Sequence, residues 1–124
     1  AVHAWAFRMG GHCKVPHGLS NALVLPHGLR FNAQVAPEAY AELLPHVFPD
    51  LPSMRVAEAA YQFAQSMADL SQACGLEQGL REMGIARAAL PSLARDAMNQ
   101  TRLLVNNPRP VDEAAALKIY EAAW

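Results

Sequence analysis

The feature that most restricts the fold is a stripe of apolar residues between Ser53 and Cys74. Its members follow one another at spacings of four, three, four, three and four, which places them on one face of a single α-helix. They are Val56, Ala60, Phe63, Met67, Leu70 and Cys74. Ser53 is the expected N-cap and Gly75 the expected stop, so we predict a long core helix over residues 53–75. Cys74 is accordingly predicted to be a core residue and not a reactive thiol.

The composition favours helices along the whole chain. Alanine is abundant and β-branched residues are sparse, a balance that favours helices over strands. The 124 residues are enough to enclose one hydrophobic core. We therefore predict an all-α fold, a compact multi-helix domain over residues 1–124.

Prolines and acidic residues set the expected limits of the shorter helices. A helix over residues 37–44 is expected to stop before Pro45, because proline disrupts a helix interior. The last helix is predicted over residues 111–123, with Asp112 and Glu113 in its first turn, where the helix macrodipole favours carboxylates. Its expected buried face consists of Leu117, Tyr120 and Trp124.

Charge and hydropathy exclude several classes of function. Ten basic and eleven acidic residues give a net charge of -1, and no basic cluster suggests nucleic-acid binding. No run approaches eighteen uninterrupted apolar residues, so a membrane span is not expected. Cys13 and Cys74 lie far apart and form no CxxC motif, which favours a reducing compartment. We expect a soluble, cytoplasmic protein, and because the chain begins with Ala1 rather than Met, a processed product, an excised domain or a fragment.

Four of the five histidines lie within the first 27 residues. The segment before Gly10-Gly11 is compatible with a helix that those glycines would end, and Pro16 is suited to start the next helix. An antiparallel return would bring the imidazoles of His3 and His17, fourteen residues apart, close together. Two converging imidazoles form half of a site for a divalent transition metal.

The spacing alone leaves other interpretations open. An ordinary structural or surface pair of histidines has the same spacing, and two imidazoles alone bind a metal loosely. His12 and Cys13 could complete a zinc site, although their spacing matches no standard zinc knuckle. His27, which follows Pro26, is either a hydrogen-bonding structural residue or a group that faces the same cavity. His46 is expected to be structural or exposed to solvent.

The opening 32 residues as a whole closely resemble a known metal-binding signature. The residues that carry the likeness are His3, Gly10-Gly11, Pro16-His17-Gly18, Asn21-Ala22, Leu25-Pro26-His27 and Phe31-Asn32. Supporting pieces follow at Gly84-Ile85, Leu90-Pro91, Asn107-Pro108-Arg109 and residues 119–124. Together they resemble the C-terminal domain of the iron-containing (group III) alcohol dehydrogenases along the entire chain.

The resemblance implies a fold, a metal and a reaction. In that family an α/β domain binds NAD or NADP, and an all-α domain holds a divalent iron, sometimes zinc, in the cleft between them. An aspartate and three histidines are the ligands, and the last two histidines fall at His3 and His17. The other two ligands belong to an earlier helix that this chain does not contain. The implied chemistry is hydride transfer between an alcohol carbon and the nicotinamide, with the metal as Lewis acid.

This sequence departs from the family pattern at Phe7. Many relatives carry a histidine there, four residues after the first signature histidine, near the nicotinamide and the substrate. Phe7, with Trp5 nearby, argues against a histidine proton relay and suggests a more apolar substrate pocket. His27 gains weight as a residue near the active site, though not as a ligand.

We therefore expect the C-terminal part of an NAD(P)-dependent alcohol dehydrogenase that acts on a small alcohol or aldehyde. It would supply two metal ligands and part of the substrate cleft, and it would be inactive alone, because no GxGxxG motif is present and an N-terminal nucleotide-binding domain is absent. The alternative is a free-standing helical domain without catalysis, acting as an oligomerisation or interaction module. In either case a homo-oligomer is expected, and two chains could also combine their histidine pairs around one metal.

Overall fold

The chain folds into helices joined by short irregular segments. The computed structural model describes the backbone of residues 1–124 and the side chains of residues 1–7, 9–10 and 14–124. The helices are α1 Val2–Cys13, α2 His17–Ala33, α3 Pro37–Val47, α4 Val56–Ala73, α5 Leu90–Ala97, α6 Thr101–Leu104 and α7 Glu113–Ala123. A 3₁₀ turn, Arg87–Ala89, precedes α5, and the described backbone contains no strand. The predicted all-α class is confirmed.

Helix α2 lies between two hydrophobic cores. The larger core is formed by α1, α2, α5, α7 and the segment before the 3₁₀ turn, and its largest fully buried side chains are Trp5, Met9, Val24, Leu80, Leu90 and Tyr120. The smaller core joins the far half of α2 to α3 and α4 through Leu29, Leu44, Ala59, Phe63 and Ala64. Because α2 contributes to both cores, its position is fixed from two sides.

The fully buried Trp5 links helix α1 to both α2 and α7. The indole ring lies against Gly28 of α2, so closely that an added Cβ there would be 2.6 Å from Cζ3 of Trp5. On the other side, the hydroxyl of Tyr120 donates a hydrogen bond of 2.8 Å to the Trp5 carbonyl oxygen. These contacts fix both the depth and the rotation of α1.

Two expected helix ends are wrong. Helix α1 continues through Gly10-Gly11 to Cys13 and ends at Lys14, whose φ of 55° is left-handed. Two glycines cost about 1 kcal/mol each in a helix interior, and the burial of α1 outweighs that cost. Helix α3 passes through Pro45 to Val47, where proline removes only one hydrogen bond in the last turn. Helix α2 contains Pro26 in its interior and continues to Ala33.

Helix α4 is shorter than predicted and is covered along only part of its length. Its N-cap is Arg55, not Ser53, and the Glu58 carboxylate accepts from the Arg55 backbone N–H at 3.4 Å and from its Nη2 at 2.6 Å. Leu70, near the other end, is 48% exposed, and Cys74 is exposed rather than buried. The stripe fails there because α2 and α3 cover only the middle of α4, around Phe63.

The C-terminal helix is close to expectation. Helix α7 begins at Glu113, and the carboxylate of Asp112 accepts a 2.7 Å hydrogen bond from the backbone N–H of Ala115. Tyr120 is fully buried, while Leu117 and Trp124 are partly buried against the larger core. The short helix α6 has no counterpart in the sequence-based prediction. No helix in the described part of the chain has the length and apolarity needed to cross a membrane.

Candidate metal centre

His3 and His17 come together at one end of the domain. His3 lies in the first turn of α1, and His17 is the first residue of α2. Their ring centroids are 5.4 Å apart, the ring planes are inclined by 66°, and both side chains are exposed. The predicted convergence of the two imidazoles is confirmed.

A three-residue turn produces this convergence. After α1 ends at Lys14, the side chain of Val15 is buried in the larger core, with 3% of its surface exposed. The Val15 carbonyl oxygen lies close to Gly10, at 3.5 Å from where a Cβ would be. Pro16, with φ of -53° and ψ of 136°, then sets the direction of α2. The chain therefore returns along α1 before α2 begins, which brings His17 back toward the start of α1.

The separation of the two rings fits shared coordination of one metal ion. A metal ion held by both rings would lie about 2.1 Å from one nitrogen of each ring, so the ring centroids would be roughly 5–6 Å apart. The observed 5.4 Å lies within that range. Imidazole is also a donor that suits both iron and zinc.

The described side chains supply only half of such a site. No third histidine, cysteine, aspartate or glutamate among them joins the pair. The side chains of His12 and Cys13, proposed above as additional zinc ligands, lie outside the described residues. Since stable sites use three or four protein ligands, the pair requires further donors.

The two aromatic residues near His3 take opposite positions. Phe7 follows His3 by one helical turn, on the same face of α1, and is 54% exposed. Trp5 is fully buried on the face that packs against α2, so it does not reach the histidine pair. The surface beside the pair is therefore apolar at Phe7.

Two polar residues, Ser20 and Asn21, follow His17 at the start of α2. The Nδ2 of Asn21 donates a 2.9 Å hydrogen bond to the carbonyl oxygen of His17. The Ser20 hydroxyl, fully buried, and the Oδ1 of Asn21 have no hydrogen-bond partner among the described residues. Asn21 stabilises the turn that positions His17. Residues four positions apart lie on the same face of a helix, so their spacing in the sequence indicates this contact.

His27 lies elsewhere on α2. It follows His17 by ten residues, which corresponds to about 15 Å along the helix axis. Burial, and secondarily the charge of Arg30, lower the pKa of His27 to about 4. It lines a groove that also includes Arg109. His46, in the last turn of α3, is exposed as expected.

A polar network attaches the far end of α2 to the segment before α7. The amides of Asn32 and Asn107 bond reciprocally, at 2.9 Å and 2.7 Å. Arg109 donates from Nη1 to the carbonyl oxygen of Phe31 at 3.2 Å and to Oε1 of Gln34 at 2.6 Å. The sequence shows these residues as two separate motifs, and nothing in it reveals that they meet across 75 positions.

Comparison with known proteins identifies the family to which the chain belongs. A family model described as Fe-containing alcohol dehydrogenase family, C-terminal, matches residues 1–124. The chain belongs to this family. It is 33% identical over 123 residues to long-chain-alcohol dehydrogenase 1 of Geobacillus thermodenitrificans (strain NG80-2), an alignment that covers 99% of this chain and 31% of that relative.

Two further comparisons, one with a curated sequence and one with a solved structure, agree with this assignment. The 1,3-propanediol dehydrogenase of Citrobacter freundii is 32% identical over 123 residues, with 99% of this chain and 32% of the relative covered. A crystal structure of 1,3-propanediol oxidoreductase superposes with a TM-score of 0.92 at 30% identity, again over 99% of this chain and 32% of the other. The chain thus spans about a third of the length of these relatives and corresponds to their C-terminal part.

Proposed function

We propose that residues 1–124 form the metal-holding C-terminal part of an NAD(P)-dependent alcohol dehydrogenase. The observation that supports the proposal is the meeting of His3 and His17 at a ring separation of 5.4 Å, in a chain that matches the family model from end to end. The relatives named above are dehydrogenases of a long-chain alcohol and of 1,3-propanediol. Both act on alcohols of different length, so we propose an alcohol or aldehyde as substrate, a small one such as a diol or one with a larger apolar substituent.

In this proposal His3 and His17 hold a divalent metal, iron or zinc, together with two ligands from outside residues 1–124. When bound, the metal supplies a Lewis acid that polarises the carbonyl or lowers the pKa of the alcohol. The packing of Trp5 on Gly28 fixes α1 relative to α2 and so limits the relative movement of the two helices that carry the imidazoles. Such rigid support lets ligands bind without a further loss of conformational entropy.

Phe7 contributes an apolar wall beside the metal in the same proposal. Its side chain is 54% exposed one turn from His3, a position where substrate carbon atoms would cover it. A phenyl ring cannot transfer a proton, so the proton of the alcohol must leave through another group. Phe7 also excludes water from its side of the site, and we expect it to favour substrates with larger apolar substituents.

The remaining parts of the proposal concern the cofactor and the assembly. NAD or NADP supplies or accepts the hydride, and residues 1–124 contain no glycine-rich phosphate-binding motif for it. The role of His27 near the active site, the cytoplasmic location and homo-oligomerisation also stay predictions. Multi-angle light scattering of the purified protein measures the last of these directly.

The experiment that tests the proposal uses the protein expressed from its complete reading frame. Aldehyde reduction is measured with NADH and with NADPH, and the metal content is measured by mass spectrometry. His3→Ala and His17→Ala are each expected to lose bound metal and to lower kcat/KM at least 100-fold, while His46→Ala serves as the control. Unchanged metal content and activity in both variants would refute the proposal.

A second arm tests whether residues 1–124 are sufficient. With half of the metal ligands and no nucleotide motif, they are expected to show no aldehyde reduction with either cofactor. Reduction by the purified 124-residue chain would show that the half-site interpretation is wrong.

A further inference from the structure

A second site lies between α2, α7 and the segment that carries Arg109. It is an open groove of about 300 Å³. Its polar lining residues are His27, Arg30, Gln34, Arg109 and Lys118, and the ring of Phe31 forms part of its wall. His3 and His17 do not line this groove. His27, which does, lies about 15 Å from His17 along the axis of α2.

The groove concentrates positive charge in a chain whose net charge is -1. Arg30, Arg109 and Lys118 line it, and no aspartate or glutamate is among its described lining residues. Neither arginine forms an ion pair with a carboxylate in the described part of the chain. Three cations lining a groove whose described lining contains no carboxylate create a local potential that attracts anions.

The two guanidinium groups are held in place by neutral partners. Arg109 uses Nη1 for its bonds to Phe31 and Gln34, and its guanidinium lies 4.0 Å from the centroid of the Phe31 ring. Arg30 donates from Nη2 to Oε1 of Gln65 at 2.7 Å. A guanidinium has five N–H donors, so each group has donors beyond those used in these bonds. Both arginines therefore combine a fixed orientation with unused hydrogen-bonding capacity.

His27 adds a neutral donor to this set. Burial and the neighbouring Arg30 charge hold its pKa at about 4, so its ring is uncharged at neutral pH. An uncharged imidazole has one N–H that can donate to an oxyanion. The groove thus combines two oriented guanidinium groups, an ammonium group and a neutral imidazole.

We propose that this groove binds the oxyanion group of a small ligand, a phosphate or a carboxylate, through Arg30, Arg109 and Lys118. Arginine is suited to both because its planar fork matches two oxygens at once, and lysine adds a point charge. A volume of about 300 Å³ is at the small end of ligand sites, which fits a phosphate ester or a short carboxylic acid. The site is independent of the metal centre and remains testable if that proposal fails.

The test is an NMR titration of the purified chain with sodium phosphate and, separately, with sodium succinate at constant ionic strength, with sodium chloride as the reference. We expect saturable shifts confined to the groove, with millimolar or tighter affinity. Saturation by phosphate alone identifies a phosphate site, and saturation by both identifies a general oxyanion site. The absence of saturable shifts with either anion would overturn the proposal.

Matched variants separate a built site from a general effect of charge. Arg30→Gln and Lys118→Gln are each expected to weaken binding at least threefold. Arg102→Gln removes the same charge from α6, away from the groove, and is expected to leave the affinity unchanged. The bound anion should also raise the pKa of His27. Equal weakening by all three variants, or an unchanged His27 titration, would contradict the proposal.

Discussion

Because Gly28 packs against Trp5, we predict that Gly28→Ala lowers the stability of the protein, although helix propensity alone would predict an increase. Gly28 lies inside α2, where replacing glycine by alanine ordinarily stabilises a helix by about 1 kcal/mol. Here the new Cβ would be 2.6 Å from Cζ3 and 3.4 Å from Cη2 of Trp5. Carbon atoms in contact need about 3.5–4.0 Å, so α1 and α2 would have to separate by about 1 Å.

The surroundings leave Trp5 little room to move. Its side chain is fully buried, and its carbonyl oxygen is bonded to the hydroxyl of Tyr120. Overpacking of this kind costs about 1–3 kcal/mol, and we expect the upper end because an aromatic ring blocks the new group. After subtraction of the helix-propensity gain, Gly28→Ala should lower the free energy of unfolding by about 2 kcal/mol.

Urea unfolding followed by far-ultraviolet circular dichroism measures this change. Gly18→Ala is the matched control, because it lies in the first turn of the same helix with nothing within 4 Å of the added Cβ. The control should be neutral or stabilising by up to about 1 kcal/mol. In a double-mutant cycle, Trp5→Phe should remove part of the cost of Gly28→Ala. A Gly28→Ala variant as stable as the wild type would refute the close packing of α1 on α2.

Three further predictions follow from individual contacts. The folded state lowers the pKa of His27 from 6.5 to about 4, so its contribution is complete above pH 6.5 and is lost as the pH falls toward 4. A shift of this size corresponds to at most about 3 kcal/mol in the free energy of unfolding, and for a partly exposed ring we expect a loss of about 1–2 kcal/mol between pH 7 and pH 4. Urea unfolding at the two pH values measures this loss, and a His27→Gln variant should not show it. Asn32→Ala should cost about 1–3 kcal/mol in the same assay because it leaves the Oδ1 of Asn107 without its donor, whereas Asn106→Ala at an exposed position should cost little. Asp112→Ala should cost about 1 kcal/mol through the lost N-cap, and Asp112→Asn, which keeps an acceptor, should recover most of it; equal losses would contradict the capping role.

The local pattern predicts some features of this fold well because neighbouring residues determine them. The N-terminal carboxylates of α7 and the turn at Pro16 follow from backbone and capping preferences. Pro16 and an antiparallel return of the chain also indicated that His3 and His17 can meet, although the turn begins after Cys13 and not at Gly10-Gly11. In these cases the nearest elements in sequence are also the nearest in space.

Other features depend on contacts that no local pattern records. Gly10-Gly11 and Pro45 remain helical because packing outweighs their propensity. The apolar spacing of α4 extends to Cys74, but α2 and α3 cover only its middle. The groove beside Arg109 forms only when α2 and α7 pack side by side, which spacing within a single helix cannot predict.

The most direct test of the central claim is an NMR titration of the imidazoles with Zn²⁺. If the two imidazoles share one metal, the ring resonances of His3 and His17 shift together along one binding curve. His3→Ala and His17→Ala are then each expected to weaken binding at least tenfold, while His46→Ala should bind like the wild type. Independent curves for the two rings, or wild-type affinity in both alanine variants, would contradict a shared metal site.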